Sequence, residues 1–427
     1  MSFFRQGAWM MTATTLAGVF MFAVHLFAPQ LGAENYSLFL ALLGIINFSI
    51  ILAPGLQTVF AHESAVVADE AGRRQLAGNV VGIIAFFTLV WAGFVGLMFF
   101  RGEWVLRQLK MDDSRPLWMT LLVVLPHLWL PVLLGVLQGK QMFGWLGWAV
   151  LVNGLGRFLA VGLILAFFGV ELHLVMLGMF AGVGIAIFII LAPCWCALSG
   201  GLTRMQWHRW FWRALAFSMG PGIVQFMLTA DLIVARAKFG VTESGYYATA
   251  GLVGRGVVMF IGSIAGVMFP KLVRPSAGDL GRNLVFRTAL ASLVVILVVV
   301  VCGSVACWLI PVFLRFAATA ARIPERIGSL LVEKEEKLLW IADLVPYFLV
   351  AMGLLALANV FISHLVAKQA FGKIGCLMLI PSVYGLGLVT RGFNTTSMVL
   401  WIGAANAVLL IAAYLFSRQV SRAEPKA

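Results

Sequence analysis

The sequence alternates between long apolar blocks and short polar segments. A hydropathy window predicts twelve apolar spans, most of them about 20 residues long, which is the length at which a helix crosses a hydrocarbon core. These spans are Gly7–Phe27, Phe39–Phe60, Ala77–Phe100, Leu117–Leu137, Trp145–Phe168, Leu174–Leu198, Ala214–Ala235, Ala248–Phe269, Ala289–Phe313, Trp340–Phe361, Ile374–Val389 and Ser397–Phe416. The pattern therefore predicts an all-α polytopic membrane protein with about twelve transmembrane helices.

The polar segments between the spans recur in the same order in the two halves of the chain. The matched pairs are Gln30–Tyr36 with Lys238–Tyr246, Gly72–Arg73 with Gly281–Arg282, and Arg101–Pro116 with Ala317–Leu338. Each pair is six spans apart, and because six is even, both halves enter the membrane from the same side. Such parallel repeats are common in transporters. We expect an N-terminal six-helix bundle at residues 1–200 and a C-terminal six-helix bundle at residues 201–427.

Charge supports this interpretation and adds an orientation. Of the 427 residues, 62% are hydrophobic and only 11% are charged, and the formal net charge is +13. With the N-terminus placed in the cytoplasm, sixteen lysines and arginines fall on inside segments and twelve on outside segments. Cytoplasmic loops carry the excess of basic residues, so both termini are expected inside. No basic stripe with interleaved aromatic residues is present, so we expect no nucleic-acid partner.

Four charged residues lie inside predicted spans, and three of them lie at least four residues from a span end. Arg157 is twelve residues into the fifth span, near mid-membrane at about 1.5 Å per residue. Asp231 and Arg255 lie at similar depths near the outer ends of the seventh and eighth spans. Charges within a membrane usually face a bundle interior or a watery cavity and mark a pathway. Arginine also grips phosphate with a planar fork, so these arginines would suit a phosphate-bearing substrate. Alternatively, Arg255 and Asp231 only neutralise each other.

Other polar residues give weaker indications. His25 and Asp343, at the outer ends of the first and tenth spans, could take part in proton or ion coupling with Asp231, or could simply be interfacial. Several intramembrane amides could line a cavity or join helices by hydrogen bonds: Asn47, Asn153, Gln225, Asn359 and Asn406. The pair Cys194 and Cys196 lacks metal-site spacing, so no metal site is expected.

The sequence offers no obvious catalytic machinery. The segment Gly135–Gln141 has the wrong spacing for a phosphate-binding loop and lacks its Ser/Thr. Nucleophile and base pairs, metal clusters and large extramembrane loops are also absent. We therefore expect a protein that is not an enzyme and that needs no cofactor.

Two stretches carry a resemblance to a known family. The segment from Leu31 to Tyr36, followed by a second span with Gly55-Leu56-Gln57-Thr58, resembles the opening of polysaccharide flippases of the lipid-linked oligosaccharide or O-antigen type. In the second half, Asp231 to Gly240, Glu243 to Tyr246 and Arg255 agree with it. The family belongs to the superfamily that also holds the multidrug extruders and the peptidoglycan-precursor flippases. The resemblance covers nearly the whole chain in layout.

The resemblance implies a function. Members of the family move polyprenyl-pyrophosphate-linked oligosaccharides from the cytoplasmic to the outer leaflet by alternating access, with two six-helix bundles in a V around a charged cavity. By position, Asp231, Arg255 and Arg157 correspond to charged positions of the family. The implied partners are the lipid-linked substrate, membrane lipids, a coupling ion (proton or sodium) or the membrane potential, and polysaccharide polymerases and glycosyltransferases. The implied location is the bacterial inner membrane.

Two alternatives remain open from the sequence. One is a cation-coupled multidrug exporter of the same superfamily, in which Asp231 would bind the coupling ion. The other is a membrane enzyme or scaffold of polysaccharide assembly. Glycosyltransferase genes beside this gene would favour the flippase over both.

The orientation can be tested by cysteine labelling. We expect a membrane-impermeant thiol reagent to reach a cysteine introduced at Ser329 in intact cells but not one at Ser421, because the basic residues place Ser421 inside. Labelling of Ser421→Cys and protection of Ser329→Cys would contradict the predicted orientation.

Overall fold

The described part of the chain is helical throughout. A computed structural model describes residues 3–67, 69–198, 207–272, 278–319 and 335–423. Its helices are α1 (Phe3–Ala23), α2 (Ala28–Ser49), α3 (Ala53–Val66), α4 (Glu70–Gln108), α5 (Arg115–Gly139), α6 (Phe143–Phe168), α7 (Leu172–Leu198), α8 (Trp207–Lys238), α9 (Val241–Leu272), α10 (Gly278–Thr319), α11 (Glu335–Ala367), α12 (Phe371–Leu377), α13 (Leu379–Thr390) and α14 (Thr395–Ala423). A short 3-10 turn, Val24–Phe27, separates α1 from α2.

The helices confirm the predicted fold class. Within the described residues, ten helical stretches are long and apolar enough to cross a membrane. Helices α1 and α9 occupy the places of the first and eighth predicted spans. The protein is therefore a multi-pass, all-α membrane protein. The predicted connector Ala317–Leu338 lies mostly outside the described residues, as does Ser329.

The segment after the first span is helical, whereas the sequence predicted a loop there. Helix α2 begins at Ala28, with Pro29 in its first turn, where a missing N–H costs nothing. The helical path is interrupted at Gly32, whose φ of 72° and ψ of 166° lie outside the helical region. Glycine adopts this backbone conformation without the steric penalty of a Cβ. The membrane-crossing stretch then runs from Glu34.

The second predicted span is two helices rather than one. Helix α2 ends at Ser49 and α3 begins at Ala53, with Pro54 in its first turn. Proline has no N–H and cannot continue a helical ladder, which accounts for the break. Ser218 of α8 satisfies the interrupted backbone, since its hydroxyl donates to the Leu52 carbonyl (2.9 Å) and accepts from the Gly55 N–H (3.1 Å).

Close packing at this break depends on a glycine. A Cβ built on Gly55 would collide with the Ala214 carbonyl and the Ser218 hydroxyl. Nearby, the ring of Phe60 packs against Trp210 with their centroids 4.0 Å apart. The first half of α8 is thus firmly packed on α3.

The eleventh predicted span is also divided. Helix α12 ends at Leu377 and α13 begins at Leu379. Pro381 cannot donate to the Leu377 carbonyl, so a continuous ladder is impossible there. The far end of α13 is held by Lys238 of α8, whose Nζ donates to the carbonyls of Leu388 (2.8 Å), Val389 (2.7 Å) and Arg391 (2.8 Å).

The chain divides into two compact units. One comprises Met1–Asn35 and Ala41–Gly222, and the other comprises Tyr36–Leu40 and Ile223–Ala427. In the first unit, α6 packs against α1 and α7, and α5 packs against α3 and α7. In the second unit, α11 packs against α9, α10 and α14. We call these the N-terminal and C-terminal units.

Removing the Ser218 hydroxyl should weaken the N-terminal unit. We expect Ser218→Ala to lower the free energy of unfolding by about 1–3 kcal/mol, because it leaves the buried Gly55 N–H without its partner. Thermal unfolding of the purified protein in detergent measures the effect. The matched control is Ser382→Ala, since the exposed Ser382 hydroxyl bonds only to the carbonyl four residues before it. Equal melting temperatures for the two variants would contradict the role of Ser218.

Candidate functional site

The C-terminal unit contains a buried ion pair. Asp231 of α8 is 0% exposed, and its Oδ2 accepts from Nη2 of Arg255 on α9, which is 6% exposed. The same oxygen accepts, at 3.0 Å, from the hydroxyl of Tyr247, which lies about two helical turns before Arg255 on α9. The Nε–H of Arg255 donates to the Leu228 carbonyl at 3.0 Å. The ion pair expected from the sequence is therefore present.

The surroundings of the pair are tightly fitted. The guanidinium lies over the ring of Phe348 on α11, with its central carbon 5.6 Å from the ring centroid. Gly251 lies one turn before Arg255, and a Cβ there would collide with Arg255 Nη1. A Cβ at Gly254 would lie 2.8 Å from the Phe348 carbonyl. The two glycines thus give the guanidinium and α11 the space that they occupy.

Three polar atoms at this site have no hydrogen-bond partner within the described residues. They are Asp231 Oδ1, Arg255 Nη1 and the Tyr384 hydroxyl of α13, and all three are enclosed. Tyr384 is close enough to Asp231 and Arg255 to interact electrostatically with both. Orphaned polar atoms are rare in protein interiors. The pair thus neutralises its charges while leaving hydrogen-bonding capacity unused.

The N-terminal unit contains a second cation with different partners. Arg157 of α6 is 8% exposed. Its Nε and Nη2 donate to Oδ1 of Asn153, one turn earlier, at 3.1 and 2.7 Å. Its Nη2 also lies 2.8 Å from Nε2 of His127 on α5. Arg157 Nη1 and Asn153 Nδ2 have no hydrogen-bond partner within the described residues.

The hydrogen bonds of His127 assign its protons. Its Nδ1 lies 2.7 Å from the Val123 carbonyl, so Nδ1 carries the hydrogen. Its Nε2 faces a guanidinium N–H, and only an unprotonated nitrogen can accept from that donor. His127 is therefore neutral in this arrangement. Gly182 of α7 completes the site, because a Cβ there would lie 2.6 Å from Arg157 Cγ.

The two arginines differ in how their charge is compensated. Arg255 has a carboxylate at ion-pair distance, whereas no described carboxylate lies within ion-pair distance of Arg157. The neutral partners of Arg157 accept hydrogen bonds from two of its nitrogens but do not neutralise its positive charge. An uncompensated charge in a membrane interior is costly and usually marks a functional position. Arg157 is therefore the stronger candidate for an anionic ligand.

The two other coupling candidates lie elsewhere. His25 is in the 3-10 turn, with its ring edge against Phe22 at 5.7 Å. Asp343 is exposed on α11. Neither forms an ion pair or hydrogen bond with Asp231, Arg255 or Arg157.

Several site residues were missed by the sequence analysis. His127 lies in the middle of the fourth predicted span, so the rule that singled out Arg157 would have found it. Tyr247 was missed because it is uncharged and the sequence analysis singled out charged residues. Arg236 was assigned to an outside loop, but α8 continues to Lys238, and buried Arg236 donates to Ser37 Oγ at 2.9 Å. Cys194 is buried with its thiol against the Leu133 carbonyl, and the Cys196 side chain lies outside the described residues.

Comparisons with known proteins give a fold but no sequence family. No family model matches the chain, and no curated protein matches it. Among solved structures, it is similar to an inward-facing multidrug resistance MATE family transporter of the MOP superfamily, with 11% identity, 97% of this chain and 95% of that chain covered, and a TM-score of 0.65.

Two further structures extend the likeness beyond drug transporters. Lipid II flippase MurJ in an inward closed conformation shares 12% identity, with 97% and 87% of the two chains covered and a TM-score of 0.66. A MOP superfamily transporter from Pyrococcus furiosus shares 12% identity, with 99% and 96% covered and a TM-score of 0.63. The expected MATE-like fold is therefore confirmed.

The buried pair can be tested by a double-mutant cycle. We expect Asp231→Leu or Arg255→Met alone to lower the free energy of unfolding by about 3–5 kcal/mol, because each leaves an uncompensated buried charge. The double variant should cost clearly less than the sum, since it removes both charges. Thermal unfolding in detergent measures all three variants. Additive effects would show that the two side chains are energetically independent.

Proposed function

We propose that the protein is a flippase that moves a polyprenyl-pyrophosphate-linked oligosaccharide from the cytoplasmic to the outer leaflet of a bacterial inner membrane. The observation that carries this proposal is the buried cation Arg157, which has only neutral partners within the described residues. A pyrophosphate headgroup would supply the missing negative charge. Arginine holds such a group through two parallel hydrogen bonds as well as through charge.

The fold supports the same proposal without deciding the substrate. The similar structures include a protein named as a lipid II flippase and a transporter named as a multidrug resistance protein. A flippase for a lipid-linked sugar must shelter a polar headgroup from hydrocarbon while its chain stays in lipid. The arginine without a described counter-charge in the N-terminal unit supports the first of these requirements.

In this proposal Arg255 has a conditional role. Its guanidinium is committed to Asp231 and enclosed, so it would bind a headgroup only after that pair separates.

The sugars would stay in a hydrated space, and transport would be coupled to an ion gradient or the membrane potential. The other proposed partners are the glycosyltransferases that build the glycan and the polymerase that extends it. We propose that the protein itself does not catalyse the formation of bonds.

The drug-exporter alternative is less well supported by the site. In that alternative Asp231 would bind the coupling ion, and an organic cation would fill the cavity. That carboxylate is 0% exposed and already holds a fixed cation. Its remaining oxygen could receive a proton, but it offers little attraction to a second positive charge beside Arg255.

Replacement of the arginines should impair export. We expect Arg157→Ala to reduce export of the lipid-linked glycan by about tenfold to a hundredfold, because a hydrogen bond to a charged group contributes about 1.5–3 kcal/mol. Arg255→Ala should also reduce export, and lysine at either position should restore it only in part, since it keeps the charge but loses the fork. Export is measured by complementation in a flippase-deficient strain.

Expression and insertion of each variant are checked by blotting of membranes. The matched control is Arg418→Ala, which removes an exposed arginine near the end of α14. Full export by the Arg157→Ala, Arg255→Ala double variant would exclude both arginines as the headgroup site and would favour the drug-exporter alternative.

A further inference from the structure

The starting observation is the direct contact between a charged guanidinium and a neutral imidazole inside the N-terminal unit. His127 Nε2 and Arg157 Nη2 are 2.8 Å apart, and His127 is 6% exposed. Histidine has an unperturbed pKa near 6.5, so small changes in its surroundings decide its charge at physiological pH. Here, protonation of Nε2 would replace a hydrogen bond by two adjacent cations.

Among the described residues, no carboxylate acts on His127 to compensate that second charge. The helices packed against α5 are α3, α4, α6 and α7. Their ionisable groups within the described residues are His62 and Glu63 on α3, Glu70, Arg73, Arg74, Arg101, Glu103 and Arg107 on α4, Arg157 on α6, and His173 and Cys194 on α7. Of these, Arg157 is the one that acts electrostatically on His127. Glu63 instead accepts from Asn79.

A bound anion would change this balance. An anion beside Arg157 attracts a proton to Nε2, and the protonated ring then becomes a second donor to the same anion. The unpartnered Arg157 Nη1 and Asn153 Nδ2 supply further donors on the side of the cluster that keeps some exposure. Proton binding and anion binding therefore favour each other, and by linkage each strengthens the other by the same factor.

We propose that Arg157, His127 and Asn153 form an oxyanion site of the phosphate type, in which His127 takes up one proton as the anion binds. This inference rests on the proposed function, because the anion is the headgroup of the transported lipid. It goes further in assigning proton coupling to His127 in the N-terminal unit, rather than to Asp231, His25 or Asp343. The complex of the site and the headgroup would then carry one negative charge fewer.

The test counts protons during binding. The full-length protein in lipid nanodiscs is titrated with farnesyl pyrophosphate by calorimetry between about pH 5.5 and about pH 8, a range that spans the titration of histidine. Pairs of buffers with different ionisation heats give the number of protons taken up. The key variant is His127→Gln, whose amide oxygen can still accept from Arg157 but cannot take up a proton.

The wild type should take up about one more proton per bound probe than His127→Gln in the range where the free imidazole is neutral. The affinity of the wild type for the probe, relative to that of His127→Gln, should rise by up to about tenfold each time the pH is lowered by one unit. Comparison with the variant removes the contribution of the probe's own ionisation. The matched control is His364→Gln, because His364 is also buried but bonds to Ser417 of α14. That control should behave like the wild type.

The outcomes separate this inference from the proposed function. Equal proton uptake by wild type and His127→Gln, with binding lost in Arg157→Gln, would overturn the role of His127 and leave the arginine headgroup site standing. Absence of binding to the wild type, or unchanged binding to Arg157→Gln, would overturn both.

If His127→Gln does not give a monodisperse protein, the wild type alone still decides the question. Uptake of about one proton beyond the ionisation of the probe, at either about pH 6 or about pH 8, supports the inference. No excess at either pH contradicts it.

Discussion

A charge inside a membrane protein needs compensation where water is scarce, and the two units differ in how far their own described residues supply it. In the C-terminal unit, Asp231 and Arg255 neutralise each other and Tyr247 adds a hydrogen bond. In the N-terminal unit, Arg157 has hydrogen-bond partners but no counter-charge within the described residues. The first arrangement is electrically neutral by itself. The second is incomplete without an anion, and the functional proposal follows from that difference.

Glycines make room for both arrangements, and one hydroxyl supports a helix break elsewhere in the N-terminal unit. Gly182 and Gly251 leave the space that the two guanidinium side chains require. The break before α3 would be expensive in a membrane if its backbone groups were unpaired, and Ser218 pairs them. Small residues therefore make room for the charged side chains, and a single hydroxyl supports the interrupted backbone.

Much of the fold was predictable because apolar spans of membrane length have few alternatives to a helix. The pair of Asp231 and Arg255 was predictable because each charge is costly alone. The contact between Arg157 and His127 was not, since spacing along two separate spans does not fix which helix faces meet. Gly32 and Pro54 signal interruptions in the sequence. They do not show that the segment around Gly32 is helical, or that Ser218 bonds to the backbone of the break at Pro54.

The grip of Lys238 on the end of α13 has a mechanical consequence. One ammonium group holds three carbonyls, those of Leu388, Val389 and Arg391, so the ends of α8 and α13 are pinned together. Asp231 lies two turns before Lys238 on α8, and Tyr384 lies one to two turns before the three carbonyls at the end of α13. The pin therefore sets the axial register of the two helices. Sliding of α13 along α8 would break these bonds, so the contact favours the present register of the two helices over neighbouring ones.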